Sequence, residues 1–529
     1  MKESIDIFLK RLLAGTVFFA VLWSGTASDA RQVALTILHT TDIHGHVLPP
    51  LENPYAEKGG SLLRCAALIE QIRAREPNVL LVDSGDALQG SAESWLTGGR
   101  LMIRAMESMR YDAWALGNHD FDWGIENLSA LCATTRVPVL AANIQFPPGV
   151  ENALPTVRPF VLKEIDGVRV LIAGLTTPGI PSWLREDVIG PIQFTRSEET
   201  LARLMPSIRQ LCPDVMLLLV HQGYSKGGDD FANEVAQIAR KFPEFDVMLG
   251  GHLHWVLPGI RLDGVLFAQA GNYAQGVGRV DLVYDTVQRR VVDKRGEFLE
   301  VDASTAEYAP LRSMLGDDLA RATNYLGEII GTNAVLMDAA LKIPGQSPVQ
   351  QLLCLSIAEV TRADGVLHGV LATEPIEAGP VRRSDIWRIV PYENRVGIVH
   401  LNPQELKQIL EEASDYAGSG HYQGVYGLAF DFCPSAPQGE RIANLRYADG
   451  RNIHPKRRLK IAFNSHTLAS AGGRYATLRS IVERPASRLE MTNIDTRSAV
   501  VNYVRSHSPL NVPAGSSVRI IRAGSQNVK

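Results

Sequence analysis

Five short segments combine side chains that bind divalent cations and move protons. They are "DIHGH" (Asp42–His46), "GDALQG" (Gly85–Gly90), "GNHDFDWG" (Gly117–Gly124), "HQG" (His221–Gly223) and "GHLH" (Gly251–His254). Carboxylate oxygen and imidazole nitrogen suit borderline ions such as Zn, Mn, Fe or Co. Cysteine is absent from all five segments, which argues against a structural zinc site. Asp42 and His44, like His252 and His254, are two residues apart, a spacing that puts both side chains on one side of an extended segment. Taken singly, an Asp-x-His is equally a surface turn, and His221 equally a hydrogen-bonded histidine. Together, the five segments point to a centre of two metals.

Strands must position these residues. Apolar runs precede every segment: Val33–Leu38, Asn78–Val82, Ala113–Leu116, Val215–Val220 and Asp246–Gly250. In α/β sheets, ligands bind beyond the carboxyl ends of the strands, so five such ends would converge. Val137–Ile144, Arg169–Leu175 and Val280–Asp285 also read as strands. Several runs are apolar throughout, as expected of strands covered on both faces. Leu62–Ala74 and Phe231–Phe242 are amphipathic and read as helices. The alternation predicts an α/β domain over residues 31–300. A helical linker follows over 301–334, with one or two helices in Ser304–Gly331, and a second α/β domain over 335–529.

The five segments, in this order, resemble the calcineurin-like metallophosphoesterases. "GNHDFDWG" and the glycine pair of "KGGSLLR" (Lys58–Arg64) resemble their 5′-nucleotidase / UDP-sugar hydrolase branch. That branch also includes 2′,3′-cyclic-nucleotide phosphodiesterases and dimanganese thiosulfohydrolases. The resemblance implies an N-terminal four-layer α/β/β/α sandwich and a C-terminal α/β substrate-specificity domain that can rotate against it. It implies two divalent metal ions: Asp42, His44 and His254 on the first, Asn118, His221 and His252 on the second, and Asp86 bridging both. It also implies a catalytic His119, stabilising charge and donating a proton, oriented by Asp122.

The second domain departs from the family pattern. A phosphate-gripping arginine in a "GGIR"-like stretch is missing from "HGVLATEP" (His368–Pro375). "PYENRVGIV" (Pro391–Val399) keeps most of a proline-aromatic-glycine-asparagine turn. Arg474, in "SAGGRYATL", stands where the family places an aspartate that holds ribose hydroxyls. Tyr422 and Tyr475 fall where the resemblance puts two substrate-binding rings that clamp a base. Core packing is the rival reading for both, and Tyr426 and Phe430 compete for the role of Tyr422. Arg382, Arg383, Arg388 and Arg395 would either restore an anion grip or form a solvated face. The expected activity is release of phosphate from nucleotides by an exported dinuclear hydrolase. The alternatives are a related hydrolase of a cyclic phosphodiester, sugar nucleotide or sulfur-oxyanion adduct, and a non-catalytic metal- or ligand-binding protein.

Bulk properties fit this reading. The 529 residues exceed one domain, and 45% apolar with 21% charged content describes a globular protein. The net charge of −4 gives no general attraction for nucleic acid polymers or anionic membranes. The five cysteines show no CxxC spacing and read as isolated core thiols. Lys2, Lys10 and Arg11 precede the apolar run Leu12–Trp23 and the small residues of Ser24–Ala30. That order predicts a secretory signal over residues 1–30 and a periplasmic protein with no stable membrane insertion once the signal is removed. An uncleaved anchor is the rival.

Overall fold

Side-chain alternation along the strands decides the layering. The computed structural model describes residues 31–50, 59–339 and 346–521; the expected signal, residues 1–30, lies outside them. The strands of the first domain's two large sheets are Gln32–Thr40 (β1), Val79–Asp83 (β2), Ala113–Ala115 (β3), Val139–Leu140 (β4), Phe160–Ile165 (β5), Val168–Leu175 (β6), Val215–Val220 (β7), Val247–Gly250 (β8), Val256–Leu262 (β9), Val265–Ala270 (β10), Gly276–Asp285 (β11) and Arg290–Glu300 (β12). One six-stranded sheet has the order β12-β11-β1-β2-β3-β4, the other β9-β10-β8-β7-β6-β5. All of β7 is buried. Its Val215, Leu217 and Leu219 enter a core shared with Val33, Leu35 and Ile37 of β1. Its Met216, Leu218 and Val220 pack with the helices Ser197–Gln210 and Val235–Lys241. On the other side, Leu38 and Leu81 pack with the helices Leu62–Arg73 and Arg100–Ser108. The result is an α/β/β/α sandwich of four layers.

Parallel pairing levels the carboxyl ends of the strands. Thr40 pairs with Asp83 and Asp83 with Trp114 in the first sheet; Leu175 pairs with Val220 and Leu219 with Leu249 in the second. The loops that follow therefore leave side by side.

Two elements differ from the sequence reading. Val137–Ile144 keeps only β4 and the short Ile144–Gln145. Between them, the Ala141 amide donates to Arg158 and the Ala142 amide to Gly174, so the chain turns from the edge of the first sheet toward the second. The Phe231–Phe242 helix begins only at Val235, because the Asp230 carboxylate accepts from the Ala232 and Asn233 amides and holds a turn. Four cysteines are buried and free, but Cys212 is exposed.

The helix Ala309–Gly327 sends Leu311, Leu315 and Leu319 into the first domain's core, and Leu326 meets Trp387 of the second domain. Ile329–Asn333, inside the expected linker, pairs with Gly379–Arg382. The second domain is also α/β. Its main sheet has the order Gly424–Tyr426, Gly365–His368, Leu459–Asn464, Arg395–Leu401, Glu490–Asp495. No helix among the described residues is long and apolar enough to cross a membrane.

Candidate metal centre and interdomain cleft

The loops after β1, β2 and β8 turn left-handed at the residues that do chemistry. Asp42, His44, Asp86, His252 and His254 all have φ between 50° and 71°, backbone that costs a non-glycine residue of order 1–3 kcal/mol. Asp42/His44 and His252/His254 are therefore not extended, as their spacing suggested; the left-handed bends aim them. Asp42 and His44 join His254 in one cluster, whereas His252 joins Asp86 and His221 in a second. Within each cluster the donor atoms lie within 4.8 Å of one another. Gly117 and Gly251 permit the close approach: a Cβ on Gly117 would overlap Asp86 Oδ1, and one on Gly251 would overlap Thr41 Oγ1.

Asp86 faces both clusters. Its Oδ2 lies 3.0 Å from His221 Nε2 and 3.9 Å from His44 Nε2. In the first cluster, His254 Nε2 is 3.1 Å from His44 Nε2 and 3.5 Å from Asp42 Oδ1. His44 Nδ1 meets the Gln89 carbonyl at 2.8 Å and His221 Nδ1 the Ser84 carbonyl at 2.9 Å. Donation from Nδ1–H leaves each Nε2 as a lone pair turned toward carboxylates, the tautomer a metal ligand needs. Asn118 Oδ1 is buried without a hydrogen-bond partner. A cation would satisfy these facing acceptors, so the residues fit divalent metals.

Sequence reasoning passed over Asp120, which fixes two of the loops. Its buried carboxylate accepts from the amides of Asp86, Ala87, Leu88 and Gly117 at 2.8–3.1 Å. Burial and the nearby Asp86 push its pKa up to about 7. The available signal was its place between His119 and Asp122 in "GNHDFDWG".

His119 borders the centre. Its amide donates to Asp86 Oδ1 at 2.7 Å, and its Nδ1 lies 2.7 Å from Asp122 Oδ2. Burial opposes a charge on the ring, but the Asp122 and Asp86 carboxylates outweigh it and push the pKa up to about 10. The imidazolium is the favoured form.

A cleft of about 970 Å³ opens from this point between the domains. Asn118, His119, Asp122 and His252 line its first-domain wall; Tyr392, His421, Gln423, His466, Arg474 and Tyr475 line the opposite wall. Tyr475 is only 1% exposed, and its hydroxyl donates to the His421 carbonyl at 2.8 Å. Tyr422 is 4% exposed and does not line the cleft. The ring beside Tyr475 is instead Tyr416, at 5.6 Å, because Tyr422 turns into the protein interior. Trp183, 5.1 Å from the His252 ring, supplies aromatic surface that the motifs did not mark, and Tyr392, the aromatic residue of the "PYEN" turn, stacks on His119. Of the four arginines considered for an anion grip, only Arg395 lines this cleft, and Asp187 pairs with it. Arg383 and Arg388 pair with Glu328 and Asp385, and Arg382 is exposed.

Residues 35–256 match the calcineurin-like phosphoesterase family, and residues 329–480 match the 5′-nucleotidase C-terminal domain family. The chain belongs to the 5′-nucleotidase family of calcineurin-like phosphoesterases. It is 24% identical to endonuclease YhcR of Bacillus subtilis over 90% of this chain, and spans 40% of that relative's length. It is 24% identical to a 5′-nucleotidase of Vibrio cholerae over 98% of this chain and 100% of that one. A putative 5′-nucleotidase of Staphylococcus aureus shares the fold with TM-score 0.78 at 20% identity, covering 92% of this chain and 100% of that one. The sulfate thiohydrolase SoxB of Thermus thermophilus does so with TM-score 0.64 at 18% identity, covering 94% and 97%.

Proposed function

We propose that this chain is a metal-dependent phosphoric ester hydrolase that releases phosphate from nucleotides. The observation that carries the reading is Asp86 facing both donor clusters, with its other carboxylate oxygen bonded to the His119 amide at the cleft wall. Asp42, His44 and His254 would hold one divalent ion, Asn118, His221 and His252 the other, with Asp86 shared. When bound, the two ions supply Lewis-acid charge to the ester oxygens. His119, held through Nδ1 by Asp122, keeps a proton on Nε2. That imidazolium offsets negative charge developing at the ester and donates the proton to the leaving oxygen. Trp183, half-buried at the cleft wall, offers ring surface to a base. The reading of residues 1–30 as a signal makes the enzyme an exported one.

A second reading, hydrolysis of a sulfur-oxyanion ester, is favoured by one observation: the likeness to SoxB combined with the absence of an arginine from Gly369–Thr373, which line the cleft. The deciding experiment is a hydrolysis screen of metal-reconstituted protein against nucleoside monophosphates, cyclic nucleotides, sugar nucleotides and thiosulfonate esters. Phosphate release fastest from nucleoside monophosphates supports the first reading. Two ions bound with no turnover of any substrate overturns both.

A further inference from the structure

The cleft holds one guanidinium that no ion pair among the described residues neutralises. Among the described residues, Arg395 and Arg474 are the two arginines that line it, and no lysine does. Arg395 is taken by Asp187. Arg474 has no ion pair among the described residues, and its Nε is buried without a hydrogen-bond partner. Its own backbone carbonyl is bound by the Tyr416 hydroxyl at 3.2 Å, which fixes the loop that carries it. Of the acids around the cleft, Asp122 is engaged with His119, Asp187 with Arg395, Glu393 with Arg497 and Asp495 with the helix it caps, while Glu126 stands exposed on the first-domain wall.

A guanidinium stays charged at any pH a protein survives, and its fork of N–H donors matches the oxygens of phosphate or carboxylate. Leaving a donor of this kind unpaired in a partly closed site is costly. The surrounding groups suit an anion. His466 lines the same wall, and burial pushes its pKa down to about 3, so it stands there as a neutral ring that can donate one N–H. His466 lines the same cleft as His119 and Arg474.

We infer that Arg474 is a specificity-determining residue that binds a second anionic group of the substrate. The scissile ester lies at the metal centre and a further phosphate or carboxylate lies against Arg474. This inference rests on the hydrolase reading and narrows its substrates to doubly anionic esters. A ribose hydroxyl would leave the guanidinium charge unmatched, whereas a second oxyanion neutralises it.

Calorimetry on the metal-free protein separates the two readings, because it needs no turnover. Adenosine 3′,5′-bisphosphate should bind wild type about tenfold or more tighter than AMP, the scale of one charge-assisted hydrogen-bonding contact. In Arg474→Met that ratio should collapse toward one, and in Arg474→Lys it should be intermediate. Melting temperatures of both variants check that they fold. Citrate titrated against the adenosine 3′,5′-bisphosphate complex tells the two oxyanions apart: displacement points to a carboxylate, no displacement to phosphate. A differential in binding without hydrolysis of any ester removes the hydrolase reading and leaves the anion site. Equal affinity of wild type for AMP and the bisphosphate, or an unchanged ratio in Arg474→Met and Arg474→Lys, overturns the inference.

Discussion

The Tyr392 ring of the second domain lies stacked on the His119 imidazole of the first, with centroids 5.6 Å apart and planes within 17°. Burial and the Asp122 and Asp86 carboxylates raise the Tyr392 phenol above its ordinary range, so it stays neutral beside them. A neutral π face against a cationic ring is attractive. The residue that would protonate the leaving group is thus touched by the domain that would choose the substrate.

Removing that ring should therefore weaken catalysis without removing a metal ligand. Contacts of this kind contribute roughly 0.5–2 kcal/mol, so Tyr392→Leu should lower kcat by about 2- to 30-fold. Tyr392→Phe should keep it. Steady-state kinetics of the two variants decide the matter; equal losses would shift the effect to the hydroxyl.

Asp86 and His119 should separate metal binding from chemistry. Asp86→Ala removes the carboxylate that faces both clusters, and elemental analysis should find both ions lost. His119→Ala removes no proposed ligand, so both ions should remain while kcat falls by roughly 10²–10³. One ion retained in Asp86→Ala would place the bridge elsewhere.

The donor clusters and their strands were legible because apolar runs that stop at Asp, Asn and His are a local signal, read off Val215–Val220 and His221 directly. The left-handed backbone at Asp42 and His254 was not legible: it follows from packing of one loop on another, such as the Asp42 amide donating to the Gly85 carbonyl. Asp120 escaped notice because its partners are backbone amides, which carry no sequence signature. Tyr422 was misplaced for a related reason. An aromatic residue next to a glycine-rich loop reads the same whether it faces a cleft or a core, and only the tertiary contacts choose. Trp183 lies in the first domain between the "GNHDFDWG" and "HQG" segments, so no motif pointed to it.

Acid should find a weak point at Asp431. Its buried carboxylate accepts from Arg519 Nε at 2.8 Å and from Asn444 at 2.7 Å. The Arg519 hydrogen bonds hold its pKa below the ordinary aspartate range. A folded-state value below the unfolded one, about 3.9, means the contribution is complete above that value and is lost as pH falls through the lower one. Thermal melts of wild type and Asp431→Asn should therefore differ most at neutral pH and converge as the pH drops below about 4. A constant difference across that range would assign the effect to packing.

Glu393 joins the two domains beside the catalytic residues. Its Oε2 accepts from Gln89 Nε2 at 2.9 Å and Trp123 Nε1 at 3.1 Å, both in the first domain; its Oε1 accepts from Arg497 Nη1 at 2.7 Å in the second. Arg497 is nearly buried, with its guanidinium 3.4 Å from the centre of the Trp387 ring and its Nε donating to the Val390 carbonyl. Glu393→Ala strips the charge partner from that cation, and breaking such a buried pair costs about 3–5 kcal/mol. The same change removes the acceptor that ties Gln89 and Trp123 to the loop carrying Tyr392. Two readouts should move together: the denaturation midpoint should fall, and small-angle scattering should report a larger radius of gyration as the cleft opens. Glu393→Gln keeps an oxygen for Arg497 but loses the carboxylate charge, so it should lie between wild type and Glu393→Ala in both. If stability falls while the radius of gyration stays at the wild-type value, Glu393 supports only the second domain's core and does not hold the domains together.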